Sequence, residues 1–275
     1  MPTIIAQGRA SLEAATQSAI FMLCGCLSFG FYVLLCVCAV STVLPVVPVI
    51  GAVLHLQMVL PLVGLTMCMS ELEKNSMARV PPKNDSTIAF GRREGKVVYF
   101  LAVLKALPPA VFPQLLHLIA FGELLIHFEP ELVASHCSEE IDQGGWASVV
   151  RCKGISNYTG VALTSAGALA IADLTVCIAV ASASFVYRNH SIFEEPPWHG
   201  NHIWAYSILL TFIMVAGFLL ATLERGTFFL FPWYYYFLSV LMPFLCLIWN
   251  EVLKRTEINL YGRAEKLRRL QFETR

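Results

Sequence analysis

A carboxylate in an otherwise uncharged apolar stretch is the residue of this sequence with the clearest chemical meaning. Asp173 lies within Ile171-Ala172-Asp173-Leu174-Thr175, twelve residues after Val161. If this stretch crosses a bilayer, Asp173 lies near its middle, where ionisable side chains are costly and usually mark ion or proton pathways. The alternative is a protonated Asp that only hydrogen-bonds a neighbouring helix. The residue predicts either a cation ligand or a structural hydrogen bond.

Two other pairs of polar side chains also fall in apolar segments. His55 and Gln57 lie just before Pro61, and a break in a helix frees backbone carbonyls that can bind cations. The alternative is a kinked helix with two satisfied polar side chains. His117 and Glu123 lie in a proline-containing segment of ambiguous register, so Glu123 either faces a pathway or reaches the membrane interface.

Cysteine pairs at residues 24–26 and 36–38 have the Cys-x-Cys spacing that suggests a site for Cu(I) or zinc. Residues two apart on a helix point to different faces, which favours apolar packing over chelation. The sequence has no His-Glu-x-x-His motif, Gly-rich phosphate loop or Gly-x-Ser-x-Gly elbow. It therefore carries no recognisable ATPase or hydrolase centre.

The elements that position these residues are membrane helices. Residues 14–70 contain no Lys, Arg, Asp or Glu, and one bilayer crossing needs about 20 mostly apolar residues. This run therefore predicts two crossings, with a turn near Pro45, Pro48 and Gly51. The composition agrees, since the chain is 57% hydrophobic, 14% charged and has a mean hydropathy of +0.65.

The pattern predicts an all-α polytopic membrane protein with a single transmembrane domain of six helices. The third helix is expected to begin at Ala106, which puts Pro108 and Pro109 in its first turn and lets Lys105 snorkel to the interface. The predicted helices span 17–44, 47–68, 106–128, 161–187, 203–223 and 233–249, followed by a basic cytosolic tail at 251–275.

The distribution of Lys and Arg predicts the orientation. With both termini in the cytosol, the cytosolic segments carry 15 Lys and Arg and the opposite face carries three. Cys137 and Cys152, the two cysteines clearly outside apolar stretches, then lie on the oxidising side and are expected to form a disulfide. Of three glycosylation sequons, only that of Asn157 lies on this side, so Asn157 is the glycosylation candidate.

The order of several short motifs resembles the carboxy-terminal membrane region of P-type ATPases. Residues 3–10 (Thr-Ile-Ile-Ala-Gln-Gly-Arg-Ala) resemble the entry to the family's fifth transmembrane helix. Leu60-Pro61 and the Met-Ala-Arg-Val-Pro-Pro of residues 77–82 resemble the end of the sixth helix. The later helix pairs and residues 249–254 match helices seven to ten. Residues 270–274 suggest a divergent metazoan branch with a proposed role in loading magnesium into the endoplasmic reticulum.

The resemblance implies a transporter fragment. The family's phosphorylation motif, its actuator loop and its first four helices are absent, so this chain alone is expected neither to hydrolyse ATP nor to need a cofactor. The implied partners are the lipid bilayer and a missing amino-terminal part of the same protein, with no nucleic acid. Magnesium is the implied cargo and the endoplasmic reticulum the implied location.

The resemblance also extends the set of candidate residues. Ser28 lies close to the position of the family's fifth-helix ligand, Gln57 lies in the sixth helix, and Asp173 matches an eighth-helix acidic position found in some members. The cation-pathway candidates are therefore Gln57, His55, Asp173, Glu123 and Ser28, with Asp173 and Gln57 as metal ligands.

Two other functions compete with transport. Leu54, Gln57 and Met58 stand where cation pumps usually place Asn, Thr and Asp, which favours a non-transporting multi-pass scaffold or assembly subunit that kept the fold. An intramembrane aspartyl protease would need two Asp residues on facing helices, and the predicted helices provide only Asp173.

Overall fold

The chain is an all-α integral membrane protein, as predicted. The computed structural model describes residues 2–39, 48–69, 84–128, 130–131, 133, 160–187, 190–194, 196–223 and 227–273, and these residues contain no strand. Six helices among them are long and apolar enough to cross a membrane. They are α1 (Pro2–Ala39), α2 (Val49–Met67), α3 (Asn84–Phe128), α4 (Val161–Val186, with a turn at Ser182), α5 (His202–Thr222) and α6 (Trp233–Glu273).

The predicted bounds of α2, α4 and α5 agree with the structure within two residues, whereas three other helices are longer than predicted. α1 begins at Pro2 rather than at residue 17, and α6 continues through the predicted tail to Glu273. Apolar length marks only the part of a helix that crosses the membrane. The extension of α1 is rich in Ala and that of α6 is rich in Leu, Glu, Lys and Arg, and these residues sustain a helix beyond the part that crosses the membrane.

α3 begins at Asn84 rather than at Ala106, and it continues through Pro108, Pro109 and Pro113. A proline inside a helix cannot donate to the carbonyl four residues earlier, so Pro108 leaves the Leu104 carbonyl without its usual donor. The indole Nε1 of Trp249 in α6 donates to this carbonyl at 3.0 Å. A neighbouring helix thus replaces the lost hydrogen bond, which explains why the helix does not end here.

Side-chain contacts show the relative directions of α1, α3 and α6. The partners Cys24–Ala102, Ser28–Ala106 and Cys36–Gln114 are all 78 residues apart, so α1 and α3 are parallel and in constant register. α3 and α6 are antiparallel, because Lys105 contacts Glu257 whereas Glu123 contacts Tyr234. The first residues of α1 and the last residues of α6 therefore lie at the same end of the bundle.

α4 is the central helix of the bundle. In its most apolar stretch 83% of the residues are buried, compared with 28% in α5 and in α6. Its inward positions are rich in small residues, including Ala162, Ala166, Ala170 and Ala179, each with no exposed surface. Small side chains let helices approach closely in a membrane, which explains why α2, α3, α5 and α6 can all pack on α4.

Several predictions fall outside the described residues. The predicted disulfide between Cys137 and Cys152 and the glycosylation candidate Asn157 belong to the segment between residue 133 and residue 160. These remain predictions.

Candidate functional site

Asp173 faces the neighbouring helix α6, as expected for an ionisable residue at membrane depth. Its Oδ1 accepts a hydrogen bond from the Ser239 hydroxyl at 2.5 Å, and its Oδ2 accepts one from the Tyr235 hydroxyl at 3.4 Å. Tyr235 and Ser239 are four residues apart, so they lie on the same face of α6. The carboxylate is only partly buried. The predicted inward orientation of Asp173 is confirmed.

A proline frees the backbone carbonyl of one residue that contacts Asp173. Pro243 lies inside α6 and has no N–H to donate to the carbonyl of Ser239, four residues earlier. The same residue therefore presents its hydroxyl to Asp173 and a carbonyl that lacks its normal helical donor. Freed carbonyls of interrupted membrane helices are typical cation ligands.

Polar side chains from α1 and α3 extend this site. The hydroxyl of Tyr32 is fully buried, has no hydrogen-bond partner among the described residues, and interacts electrostatically with Cys36, Asp173 and Tyr235. The Cys36 thiol donates to Gln114 Oε1 at 2.7 Å. The buried Gln114 Nε2 has no described partner. The Asp173 cluster is defined here as Tyr32, Cys36, Gln114, Asp173, Tyr235 and Ser239, contributed by α1, α3, α4 and α6.

His55 lies at a second polar contact, between α2 and α4. The helix break predicted near Pro61 is present as a π-helical stretch over Leu54–Val59, and such stretches are frequent at functional sites. The fully buried His55 ring stacks on Phe29 and its Nδ1 lies 3.1 Å from Thr175 Oγ1. Because the Thr175 hydroxyl donates to the Ile171 carbonyl, the Nδ1–H of His55 is the donor to Thr175. Thr175 is two residues from Asp173 and points to a different face of α4.

Gln57 is not among the side chains that contact Asp173, and that these two residues bind a metal stays a prediction. Its side chain is exposed on the outer surface of α2 and makes no hydrogen bond to the described residues. The π-helical turn that buries His55 leaves Gln57, two residues later, on the opposite side. Among the described residues no group of three or more His, Cys, Asp or Glu could hold a metal ion.

The remaining candidates have contacts of their own. Glu123 accepts a hydrogen bond from the Tyr234 hydroxyl at 2.7 Å. Tyr234 directly precedes Tyr235 but is not part of the Asp173 cluster, so Glu123 contacts α6 outside this cluster. Ser28 donates to the carbonyls of Cys24 and Ala106 and thereby joins α1 to α3. His117 is buried beside the backbone of Ala166.

The interpretation of the first Cys-x-Cys pair as packing agrees with the structure. Cys24 is buried and its thiol donates to the Ala102 carbonyl at 3.6 Å, whereas Cys26 is exposed. The two side chains thus lie on different faces of α1. They do not form a chelating pair.

Comparisons with known proteins returned no match: no protein-family model, curated protein or solved structure is significantly similar to this chain.

Sequence reasoning missed a group of buried charges at the end of the bundle where α3 enters and α6 leaves. Lys105 does not snorkel to water. Its Nζ lies 2.7 Å from Glu257 Oε2 and 5.1 Å from the centre of the Phe185 ring. Glu251, also buried, accepts a hydrogen bond from Ser191 at 2.9 Å and lies 3.5 Å from Lys254. The available signal was the spacing of three and four residues between charges in α6, in the segment predicted to be a basic cytosolic tail.

Proposed function

We propose that this chain is the carboxy-terminal membrane half of a P-type-ATPase-like cation transporter, with its cation pathway at the Asp173 cluster. The observation that carries the proposal is a carboxylate at mid-membrane depth that faces two hydroxyls on a proline-interrupted helix. In the proposed site, Asp173, the Ser239 hydroxyl and carbonyl, and the hydroxyls of Tyr235 and Tyr32 supply oxygen ligands. This ligand set contains Ser239 in place of Gln57, the second ligand expected from the sequence.

The chemistry of the cluster suits a hard cation. Magnesium binds carboxylate, carbonyl and water oxygens and often retains several waters, so a site with one carboxylate suffices. The bias of Lys and Arg supports cytosolic termini, and the resemblance supports magnesium uptake into the endoplasmic reticulum. A nucleotide-binding and phosphorylated part of the same protein would supply the energy and move α1 and α2.

A non-transporting scaffold is the second candidate, and one observation favours it. Both carboxylate oxygens of Asp173 already accept hydrogen bonds, as they would if the residue only joined α4 to α6. In that case the hydroxyls of Tyr235 and Ser239 satisfy the partly buried Asp173 carboxyl group and no ion enters. The two functions differ in whether a cation competes for Asp173.

Protection from dicyclohexylcarbodiimide tests this difference. This membrane-soluble reagent adds to protonated carboxyl groups, and mass spectrometry identifies the modified residue. The chain in lipid nanodiscs would be labelled with and without magnesium, calcium or sodium. The transport proposal predicts that magnesium slows the labelling of Asp173 at least several-fold. A bound cation requires the ionised carboxylate, whereas the reagent adds to the protonated form. Ser239→Ala should weaken this protection.

Controls separate site occupancy from general effects. Glu123 is a second carboxyl in the membrane helices and has its own tyrosine partner, Tyr234. The labelling of Glu123 should not depend on magnesium. Asp173→Asn should remove the magnesium-sensitive label entirely. If Asp173 is labelled equally at all cation concentrations, the transport proposal fails and the scaffold is favoured.

A further inference from the structure

Two cysteines from different helices meet inside the bundle. Cys177 of α4 and Cys246 of α6 are both fully buried, and their thiols contact each other. Met242 lies one helical turn before Cys246 on the same face of α6 and packs against this pair. Two thiols and a thioether are therefore brought together where α4 touches α6.

This contact distinguishes the pair from the other cysteines whose side chains the structure describes. The thiols of Cys24 and Cys68 each donate to a backbone carbonyl. That of Cys36 donates to the Gln114 side chain, and Cys26 is exposed. The contact between two thiols thus arises from the packing of α4 on α6, and not from a Cys-x-Cys spacing.

The number and type of these sulfur ligands indicate which metal they suit. Thiolates and thioethers select Cu(I), zinc and iron–sulfur clusters. Structural zinc sites are almost always four-coordinate, and iron–sulfur clusters are usually held by four cysteines. Two thiols and one thioether are too few for either, whereas Cu(I) binds stably to two or three sulfurs. The ligand set therefore fits Cu(I).

The position of the pair favours a metal over a disulfide. Along α4 and α6, Cys177 and Cys246 lie on the side of Asp173 that leads to the contact between Lys105 and Glu257. The distribution of Lys and Arg predicts that this end of the bundle faces the cytosol. Thiols on the cytosolic side are kept reduced, which leaves them free to bind a metal.

We propose that Cys177 and Cys246 bind Cu(I), with the Met242 thioether as a third ligand. A thiol binds a metal as the thiolate, so binding releases a proton. Release of one proton balances the charge of Cu(I), and the bundle gains no uncompensated buried charge. The bound ion joins α4 to α6 one helical turn from Asp173. This site is separate from the oxygen ligands of the proposed cation pathway.

Competition with a chromogenic Cu(I) chelator tests the site. The chain in lipid nanodiscs, under anaerobic conditions with a non-thiol reductant, is titrated with Cu(I) against bathocuproine disulfonate. Cys177→Ala and Cys246→Ala should each lose the same single equivalent of bound copper, and Met242→Leu should weaken its binding several-fold. Cys24→Ala is the matched control, because Cys24 is equally buried but donates to a carbonyl. It should retain this copper.

X-ray absorption at the copper edge gives an independent result if a variant folds poorly. The parent chain should show coordination by sulfur alone. Asp173→Asn should retain the copper, so this result does not depend on whether magnesium protects Asp173. Oxygen or nitrogen ligands, or full copper binding in both Cys177→Ala and Cys246→Ala, would overturn the proposal. So would a Cys177–Cys246 disulfide in place of bound copper, detected by mass spectrometry of unreduced peptides.

Discussion

Removing the charge of Lys105 should destabilise the bundle strongly, because its partner is also withdrawn from water. The side chains of Lys105 and Glu257 are 7% and 13% exposed, and their charged atoms lie 2.7 Å apart. Removing one member of a buried ion pair typically costs about 3–5 kcal/mol, since the other charge is left uncompensated. Glu257 retains some exposure at the end of the bundle. We therefore expect Lys105→Met to lower the free energy of unfolding by about 3 kcal/mol.

The reverse change should cost less. In Glu257→Gln, Lys105 keeps its position over the Phe185 ring, a cation–π contact of about 0.5–2 kcal/mol. Its long side chain can also move its ammonium toward water. The double variant Lys105→Met with Glu257→Leu should recover most of the loss, because no charge is then left buried. The expected order of destabilisation is Lys105→Met, then Glu257→Gln, then the double variant.

Reversible unfolding in mixed micelles, followed by helical circular dichroism, measures these differences. Arg255→Met is the matched control, because Arg255 lies on the same helix and is exposed. It should change the free energy of unfolding by less than about 0.5 kcal/mol. A Lys105→Met variant as stable as the Arg255 control would refute the inference that the pair is buried and coupled.

Two further predictions concern helix packing. Gly64→Ala should cost about 1–3 kcal/mol, because its new Cβ would lie 3.1 Å from Met22 Cγ, whereas Gly217→Ala, with nothing within 4 Å, should be neutral or slightly stabilising in the same unfolding assay. Trp249→Phe should cost about 1 kcal/mol and increase amide hydrogen exchange around Pro108, because the Leu104 carbonyl loses its donor. Unchanged exchange there would contradict the assigned role of the indole.

The sequence was a good guide to how many helices cross the membrane and a poor guide to which face each one presents. Apolar length alone predicts the six spans, and the cost of burying a charge predicts that Asp173 faces inward. The side on which Gln57 lies could not be predicted, since apolar residues surround it on every face of α2. The π-helical turn over Leu54–Val59 further changes the angular position of each residue.

The contacts between helices were also beyond prediction, because they depend on register. The 78-residue offset between α1 and α3 pairs Cys36 with Gln114, yet neither side chain indicates the other in the sequence. Tyr235 and Ser239 were visible as an i, i+4 pair, with Ser239 four residues before Pro243. Their meaning depends on knowing that α4 places Asp173 opposite them.

Pro61, Pro108 and Pro243, three of the prolines inside the membrane helices, interrupt helix hydrogen bonding in different ways. In α2 a π-helical turn precedes Pro61, and the Leu60 N–H bonds to the His55 carbonyl. In α3 the carbonyl freed by Pro108 is occupied by the Trp249 indole. In α6 the carbonyl freed by Pro243 belongs to Ser239, whose hydroxyl already binds Asp173. Pro243 thus frees the carbonyl of a residue whose hydroxyl contacts a carboxylate, whereas at Pro108 a donor fills the gap. We therefore expect an ion that binds within this bundle to bind between α4 and α6, where a carboxylate contacts a residue whose backbone carbonyl lacks its helical donor.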